Sequence, residues 1–453
     1  MKSDDLRRAI GEIDDDLIEH ADRKPKPNAR RNLKKWGMIA AALLLVVAAV
    51  FPLGVRLAKN NTVSYTAGDL MEGIVPRVRS EAPGAVSNVD ATAATDFAVR
   101  LFLAAYDGNN TLISPISAML VLAMATNGAE GETLRQMETV FGMTRDELNE
   151  FFYSFRAGLS QSEKCKLSLA NSIWLRDDFN VMREFLQTNA DYYGADAYRA
   201  PFDKTTLEKI NGWVNDQTAG MIPKLLNELS PDSVAILINA LTFDAEWGAP
   251  FESDATATGE FTTESGGKVD VDYMHGTGYI GNYVSDDLAQ GLFKYYVGGY
   301  AFVALLPNEG VTLSEYLASL DGEALRTMLK RARPRELNLT LPKFEVAYET
   351  ELSSALIEMG ITDAFSCGAD FSGLGTTSSG DSVYIGRILQ KTFLSIYERG
   401  TRAGAATAVD MYALAADPPP VVTLRFTRPF VYMLIDCRTY LPLFIGTMND
   451  PTK

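Results

Sequence analysis

The chain has 453 residues, 47% of them hydrophobic, with a formal net charge of −16 and only two histidines, His20 and His275. That suffices for one large or two ordinary domains with an ample core, while the acidic balance argues against nucleic-acid binding, which needs a cationic surface. A Ser-His-Asp or Cys-His hydrolase, or a two-histidine zinc site, would have to rest on His275 with too few partners, so an ordinary hydrolase is not expected.

The first 35 residues place Leu6, Ile10, Ile13 and Leu17 at near-helical spacing, followed by an extended KPKPN linker. Trp36 and Val55 then bound twenty residues without a charge, long enough for a spanning helix. Arg30, Arg31, Lys34 and Lys35 precede this run, whereas Arg56 and Lys59 follow it. The positive-inside bias therefore puts the N-terminus in the cytoplasm and the bulk of the chain outside. About 35 residues ahead of the apolar run exceed a signal peptide's short n-region, which favours an uncleaved signal-anchor. Pro52 near its outer end is compatible with such a helix. The expected plan is a cytoplasmic segment 1–35, a transmembrane helix 36–55, an extracellular linker 56–90 and a folded domain 91–453. Release of that domain by a cut in the linker stays open, and no internal repeat stands out.

Within the domain, hydrophobic periodicity predicts helices at 97–106, 117–127, 133–141, 145–158, 182–193 and 207–218. Strands are predicted at 236–243, 302–306, 337–344, 393–397, 421–426 and 430–436. Helices early and strands late imply an α+β domain with large mixed or antiparallel sheets, not a doubly wound one. His275, beside Met274 in a strand-like run, reads as a half-buried or surface residue. Cys165, Cys367 and Cys437 are widely spaced and odd in number, which is neither a disulfide framework nor a C-x-x-C metal signature. Cys437, in the apolar run FVYMLIDC, reads as a small buried thiol. Ser-Lys chemistry needs no histidine, but no S-x-x-K with its companions stands out.

The stretch ERGTRAGAATAV (398–409) is nearly featureless on one face. At period two that face carries Thr401, Ala403, Ala405, Thr407 and Val409, while the only charge between them, Arg402, points the other way. Gly400 tolerates a large dihedral change, and no proline falls between Glu398 and Asp417 to remove a ladder donor. Such a segment is able to slide into a sheet. Asp410 to Asp417, followed by Pro418, Pro419 and Pro420, looks instead like an exposed loop with a stiff stop. On its own the stretch reads as an Ala/Thr-rich linker, and its neighbours change that.

With those neighbours the stretch resembles the reactive-centre hinge of the serpins. The likeness continues in Arg428, Pro429 and Phe430 and in LPLFIGTMNDP (441–451). Upstream, LISPISAMLVLAMATNGAEGETLRQM (112–137) resembles the second-helix region and ANSIWL (170–175) a core strand. INGWVNDQTAGMIPKLL (210–226), LINALTFDAEW (237–247), LPKFEVAYETELSSALIEMGITDAF (341–365) and FSGL (371–374) follow in family order.

The resemblance implies an inhibitor that needs no cofactor or metal. A protease attacks the exposed loop and forms its acyl-enzyme, and the cut loop inserts into the main sheet, carrying the protease along. The family's usual spacing from Glu398 puts the reactive bond at Leu414 and Ala415, with a hinge comprising Glu398, Gly400, Thr401, Ala403, Ala405, Ala406 and Thr407. Leu414 implies an extracellular serine protease of chymotrypsin-, elastase- or subtilisin-like specificity. A trypsin-like target is disfavoured because residues 410–417 contain no Arg or Lys, and a papain-type cysteine protease stays open. Ser114, Ser117 and Asn239 resemble the polar cluster beneath the point where the sheet opens, and Trp247 the tryptophan at its top. Ser114 and Ser117 also read simply as helix caps. Gln390 stands where the family often has histidine, so any pH-sensing role there is lost. Arg402 stands where an acidic residue is common and is expected to face solvent after insertion. The lack of a disulfide framework and the short positive stub suggest a single-membrane bacterium. The competing expectations are a non-inhibitory binding or structural relative whose loop is cut as plain substrate, and an anchored hydrolase.

Overall fold

The structure, a computed structural model, describes residues 68–77, 84–159, 161–230, 233–380, 383–401 and 421–453. The expected membrane run, the segment before it, and the hinge and loop residues from Arg402 to Pro420 lie outside the described residues. Among the described residues no helix is long and apolar enough to cross a membrane.

Local sequence explains the helices. Helix Asn88–Ala105 starts where the Ser87 side chain accepts from Asp90 N, and it buries Phe97, Val99, Leu101 and Phe102. Helix Arg145–Ala157 opens on a Thr144/Glu147 capping box. Helix Pro115–Thr126 is apolar on every side, with proline in its first turn and Ser114 as its cap. A helix hydrophobic all round must be a central one, and eleven of its twelve residues are buried.

That helix backs two sheets. The larger runs in the order Val422–Arg425, Arg333–Pro342, Lys268–Ser285, Ala289–Tyr295, Tyr300–Pro307, Phe430–Asp436, Leu441–Met448 and Thr111–Ile113, with Ala257–Thr262 paired beside Lys268–Ser285. Its central strands are buried on both faces, so they read as continuous apolar runs. In the second sheet Cys165–Arg176 lies between Asp196–Ala200, which is parallel to it, and Ala235–Glu246, which is antiparallel. A separate antiparallel ribbon pairs Phe344–Glu351 with Leu389–Ile396.

The expected α+β class with mixed sheets holds, and every helix and strand expected from periodicity falls on a real element. Three differences have physical causes. The expected strand 337–344 is two strands, Arg333–Pro342 and Phe344–Glu351, divided at Lys343. Helices are not confined to the first half: Leu313–Ser319, Gly322–Lys330 and Ser353–Glu358 are short, and only Gly322–Lys330, with Leu325, Met328 and Leu329 on one buried face, carries a clear helical pattern that the sequence reading passed over. Part of the expected linker is bound to the domain. Gly68–Asp69 pairs with Arg199 and Tyr198, Ile74 is buried, and Arg77 Nε donates to Asp191 at 2.6 Å. The expected boundary at residue 91 therefore falls inside helix Asn88–Ala105.

Candidate functional site

The second sheet is split. Among the described residues no hydrogen-bonded rung joins Ala235–Glu246 to Leu389–Ile396, and a cavity of about 660 Å3 is lined by both strands. Polar groups from Ser114, Ser117, Asn239 and Gln390 line one part of it, and Ile222, Leu225, Ile236 and Leu237 another. Strand edges left without a neighbour offer unpaired backbone N–H and C=O groups, which are a template for another strand.

The hinge stands at one end of this slot. Strand Leu389–Ile396 turns back through Tyr397–Gly400, bridged between those two residues, and Gly400–Thr401 pairs antiparallel with Glu246 and Ala245. Gly400 has a φ of +145°, and a Cβ there would lie 2.2 Å from the Ala245 carbonyl oxygen, so only glycine fits. Thr401 is buried, and its Oγ1 lies 2.7 Å from the Tyr296 hydroxyl. The face assigned from parity as inward-pointing does point inward at this residue. Ala403, Ala405, Ala406 and Thr407, with Leu414 and Ala415, lie outside the described residues.

Trp247 holds the turn. Its backbone N–H donates to Arg399 O at 2.9 Å and its Nε1 to Tyr397 O at 2.8 Å, while Phe251 N donates to Glu398 O. Glu398 accepts from Thr256 at 2.9 Å and from Lys343 at 3.1 Å. Burial alone would raise this carboxyl, but its own backbone N–H, Lys343 and Thr256 together bring it below the ordinary carboxylate value. Beneath the turn lies a group that the sequence did not advertise. Lys294 is buried, donates to Ala249 O at 2.6 Å, and sits 5.3, 4.1 and 4.6 Å from the ring centroids of Trp247, Phe251 and Tyr279. Burial pushes its ammonium down to about 7.

Across the slot the other expected residues form one network. Gln390 Oε1 accepts from Ser114 N and its Nε2 donates to Ser114 O, both at 2.8 Å. Ser114 caps its helix and donates to Leu443 O at 2.8 Å, whereas Ser117, also expected as a cap, lies inside the first turn and gives its backbone N–H to Ser114 Oγ. Ser117 donates to Asn239 Oδ1, Asn239 donates to Asn171 Oδ1 at 2.9 Å, and Asn171 donates to Tyr193 O at 2.7 Å. Sequence reasoning missed Asn171 and Tyr193, although ANSIWL contains the first. The structure thus brings Ser114, Ser117, Asn239 and Gln390 together, with Trp247 apart from them at the hinge turn. His275 is half-buried beside Thr340 as expected. Cys437 is half-buried rather than enclosed, standing in the turn just past strand Phe430–Asp436, and burial still pushes its thiol up to about 12.

Comparison with known proteins agrees with this architecture. Residues 92–451 match the family model described as Serpin (serine protease inhibitor). An alpha-1-antitrypsin-like protein of Ictidomys tridecemlineatus is 31% identical over 369 residues, covering 79% of this chain and 87% of that protein. An uncharacterized serpin-like protein of Thermococcus kodakarensis is 30% identical over 354 residues, covering 76% and 82%. Among solved structures, the thermophilic serpin tengpin in its native state superposes with a TM-score of 0.78 at 40% identity, covering 85% of this chain and 99% of that one. The same protein in its latent state gives 0.71 at 39% identity, covering 83% and 99%. By family model, relatives and fold alike, the chain belongs to the serpin family, whose members are generally protease inhibitors rather than catalysts.

Proposed function

We propose that this chain is an inhibitory serpin that traps a protease covalently after a cut at Leu414–Ala415. The protease serine oxygen adds to the Leu414 carbonyl carbon, and the amide bond to Ala415 breaks. The departing nitrogen takes a proton and becomes a new N-terminus. The freed hinge then fills the split sheet as a strand.

One observation carries this reading: the hinge already forms its first rungs in the slot, in a register that fits the rest of the segment. Extended along Ala235–Glu246 from Gly400–Glu246, the ladder sets Arg402 opposite Asp244, Ala403 opposite Phe243 and Thr407 opposite Asn239. Extended along the other wall from the Tyr397–Gly400 bridge, it sets Ala403 opposite Leu394 and Thr407 opposite Gln390. Thr407, the one hydroxyl in the middle of the inward face, thus comes to the polar network, while the alanines come to apolar positions. The register reaches Ala235 with Met411, leaving ten residues still to insert after Thr401. At about 1 kcal/mol per net hydrogen bond the drive is on the order of 10 kcal/mol, comparable to the stability of a whole domain.

Around this core stand the further parts of the proposal. Ser114, Ser117, Asn239, Trp247 and Gln390 govern the opening of the sheet. Leu414 directs the loop to an extracellular serine protease of chymotrypsin-, elastase- or subtilisin-like specificity. The run from Trp36 to Val55 anchors the chain in a bacterial membrane, with the N-terminus cytoplasmic and the serpin domain outside. The reading is tested by mixing residues from about Ser64 onward with chymotrypsin and with an elastase on denaturing gels. A covalent band with a released peptide beginning at Ala415 is expected. Cleavage near Leu414 with no covalent band by any such protease would favour a non-inhibitory relative whose loop is plain substrate.

A further inference from the structure

The first inserted hinge residue has a dedicated receptor. Tyr296 follows strand Ala289–Tyr295 and is fixed on several sides. Its ring stacks on Trp247 at 4.0 Å and 17°, it stands edge-on to Phe243 at 5.0 Å and 77°, and its backbone N–H donates to Tyr300 O. The ring has no room to swing, so its hydroxyl is held at one point in the core. That point is 2.7 Å from Thr401 Oγ1, with Tyr296 4% and Thr401 3% exposed. Burial raises the phenol far above its ordinary range, so it stays neutral and able to donate.

We propose that Tyr296 is the positioning residue for loop insertion: its hydroxyl docks Thr401 and thereby holds Gly400–Thr401 in the slot before a protease arrives. The proposal rests on the insertion reading above and deepens it. If the hinge backs out, both polar partners part, and the Tyr296 hydroxyl is left buried without Thr401. An unpaired buried hydroxyl is disfavoured much more than a made bond is favoured. The docked state therefore supplies a formed first rung. After cleavage, insertion propagates from an existing pair rather than beginning with a free end, which favours trapping over release of the cut inhibitor.

A size-and-charge view of the hinge predicts something different. It asks of position 401 only a small or β-branched uncharged residue, and valine meets that. Docking through the hydroxyl requires that Thr401→Val be harmful, and that its effect depend on Tyr296. The experiment uses the full chain as wild type, Tyr296→Phe, Thr401→Val and the double variant. Hydrogen exchange of the peptide spanning Tyr397 to Thr401 reads hinge docking without any protease. The number of inhibitor molecules consumed per protease trapped reads the functional consequence, and near-UV circular dichroism confirms that the Trp247 stack survives in Tyr296→Phe.

Each single variant is expected to speed hinge exchange about three- to tenfold, the range of one lost buried hydrogen bond, and to raise inhibitor consumption. The double variant is expected to be no worse than either single one, because it leaves neither hydroxyl without its partner. Single variants that exchange like wild type, or effects that simply add in the double variant, would overturn the proposal. If the wild type traps no protease at all, the inhibitory reading fails, while the exchange cycle still decides whether Tyr296 docks the hinge.

Discussion

Ala403→Arg tests the slot most sharply. In the proposed inserted state position 403 would fall between Phe243 and Leu394; both of these are buried, and Phe243 stands edge-on to Tyr296 and Tyr300. An arginine inserted there would bury a guanidinium among rings and aliphatic groups with no carboxylate beside it. Leaving a buried charge uncompensated costs about 3–5 kcal/mol, a large share of a drive of about 10 kcal/mol. The cost also falls at the second rung beyond Thr401, before most of the gain is realised. Felt fully in the insertion step, it slows insertion roughly 100-fold or more, so hydrolysis of the acyl-enzyme overtakes trapping. The assay is the ratio of covalent complex to cleaved inhibitor on denaturing gels, alongside the rate of loop cleavage. Cleavage should proceed at the wild-type rate while the covalent band disappears. The control is Arg402→Ala, which removes an outward charge opposite Asp244 and should shift stability by about 1 kcal/mol or less. Full trapping by Ala403→Arg, or equal damage by Arg402→Ala, would refute the assigned register and face.

Three further outcomes are expected. Thr407→Val should leave the uncut protein unchanged and lower the unfolding free energy of the cleaved form by the roughly 1 kcal/mol of one hydroxyl hydrogen bond at the Asn239–Gln390 level, read from its denaturation curve; an unchanged cleaved form would count against that level. Gly400→Ala should displace the hinge from the slot, because its Cβ would meet the Ala245 carbonyl at 2.2 Å, seen as faster exchange at Gly400–Thr401; wild-type exchange would contradict this. Lys294→Met should stabilise the uncut protein near neutral pH by replacing a buried cation that has no carboxylate partner among the described residues with an apolar side chain of similar length. The folded-state pKa of Lys294, about 7, lies below its ordinary 10.5. The native state therefore holds fewer protons than the unfolded state between those values. The contribution of this group to stability accordingly rises with pH across that window and is lowest below it. Denaturant midpoints measured across that window should rise less steeply in Lys294→Met, and an unchanged slope would contradict the assignment.

Alternation and motif order made much of this legible. The parity of residues 398–409 assigns Thr401 to the inward face, and it is buried there. The apolar helix Pro115–Thr126 declares itself central, and Ser114, Ser117 and Asn239, grouped from motif order, do lie together, with Gln390 bonded to Ser114 besides. The split between Ala235–Glu246 and Leu389–Ile396 was not legible, because a strand with one unpaired edge has the same residue pattern as a paired one. Lys294 was hidden for a related reason. Nothing in LFKYY marks it as buried, and the rings of Trp247, Phe251 and Tyr279 that surround it are distant in sequence. Lys343 and Thr256 became partners of Glu398 through tertiary folding alone, while docking of the segment near Ile74 depends on one short ladder and a few side chains too sparse to form a pattern.

Whichever protease is the natural target, the severed loop should become a strand of the split sheet. The direct measurement is the denaturant midpoint of the domain before and after one cut near Leu414, made by a protease that cleaves without being retained. Insertion should raise the midpoint greatly, corresponding to a gain in stability on the order of 10 kcal/mol for ten newly paired residues. An unchanged or lowered midpoint after a verified cut would mean that the slot stays empty, and would contradict insertion as the working step of this protein.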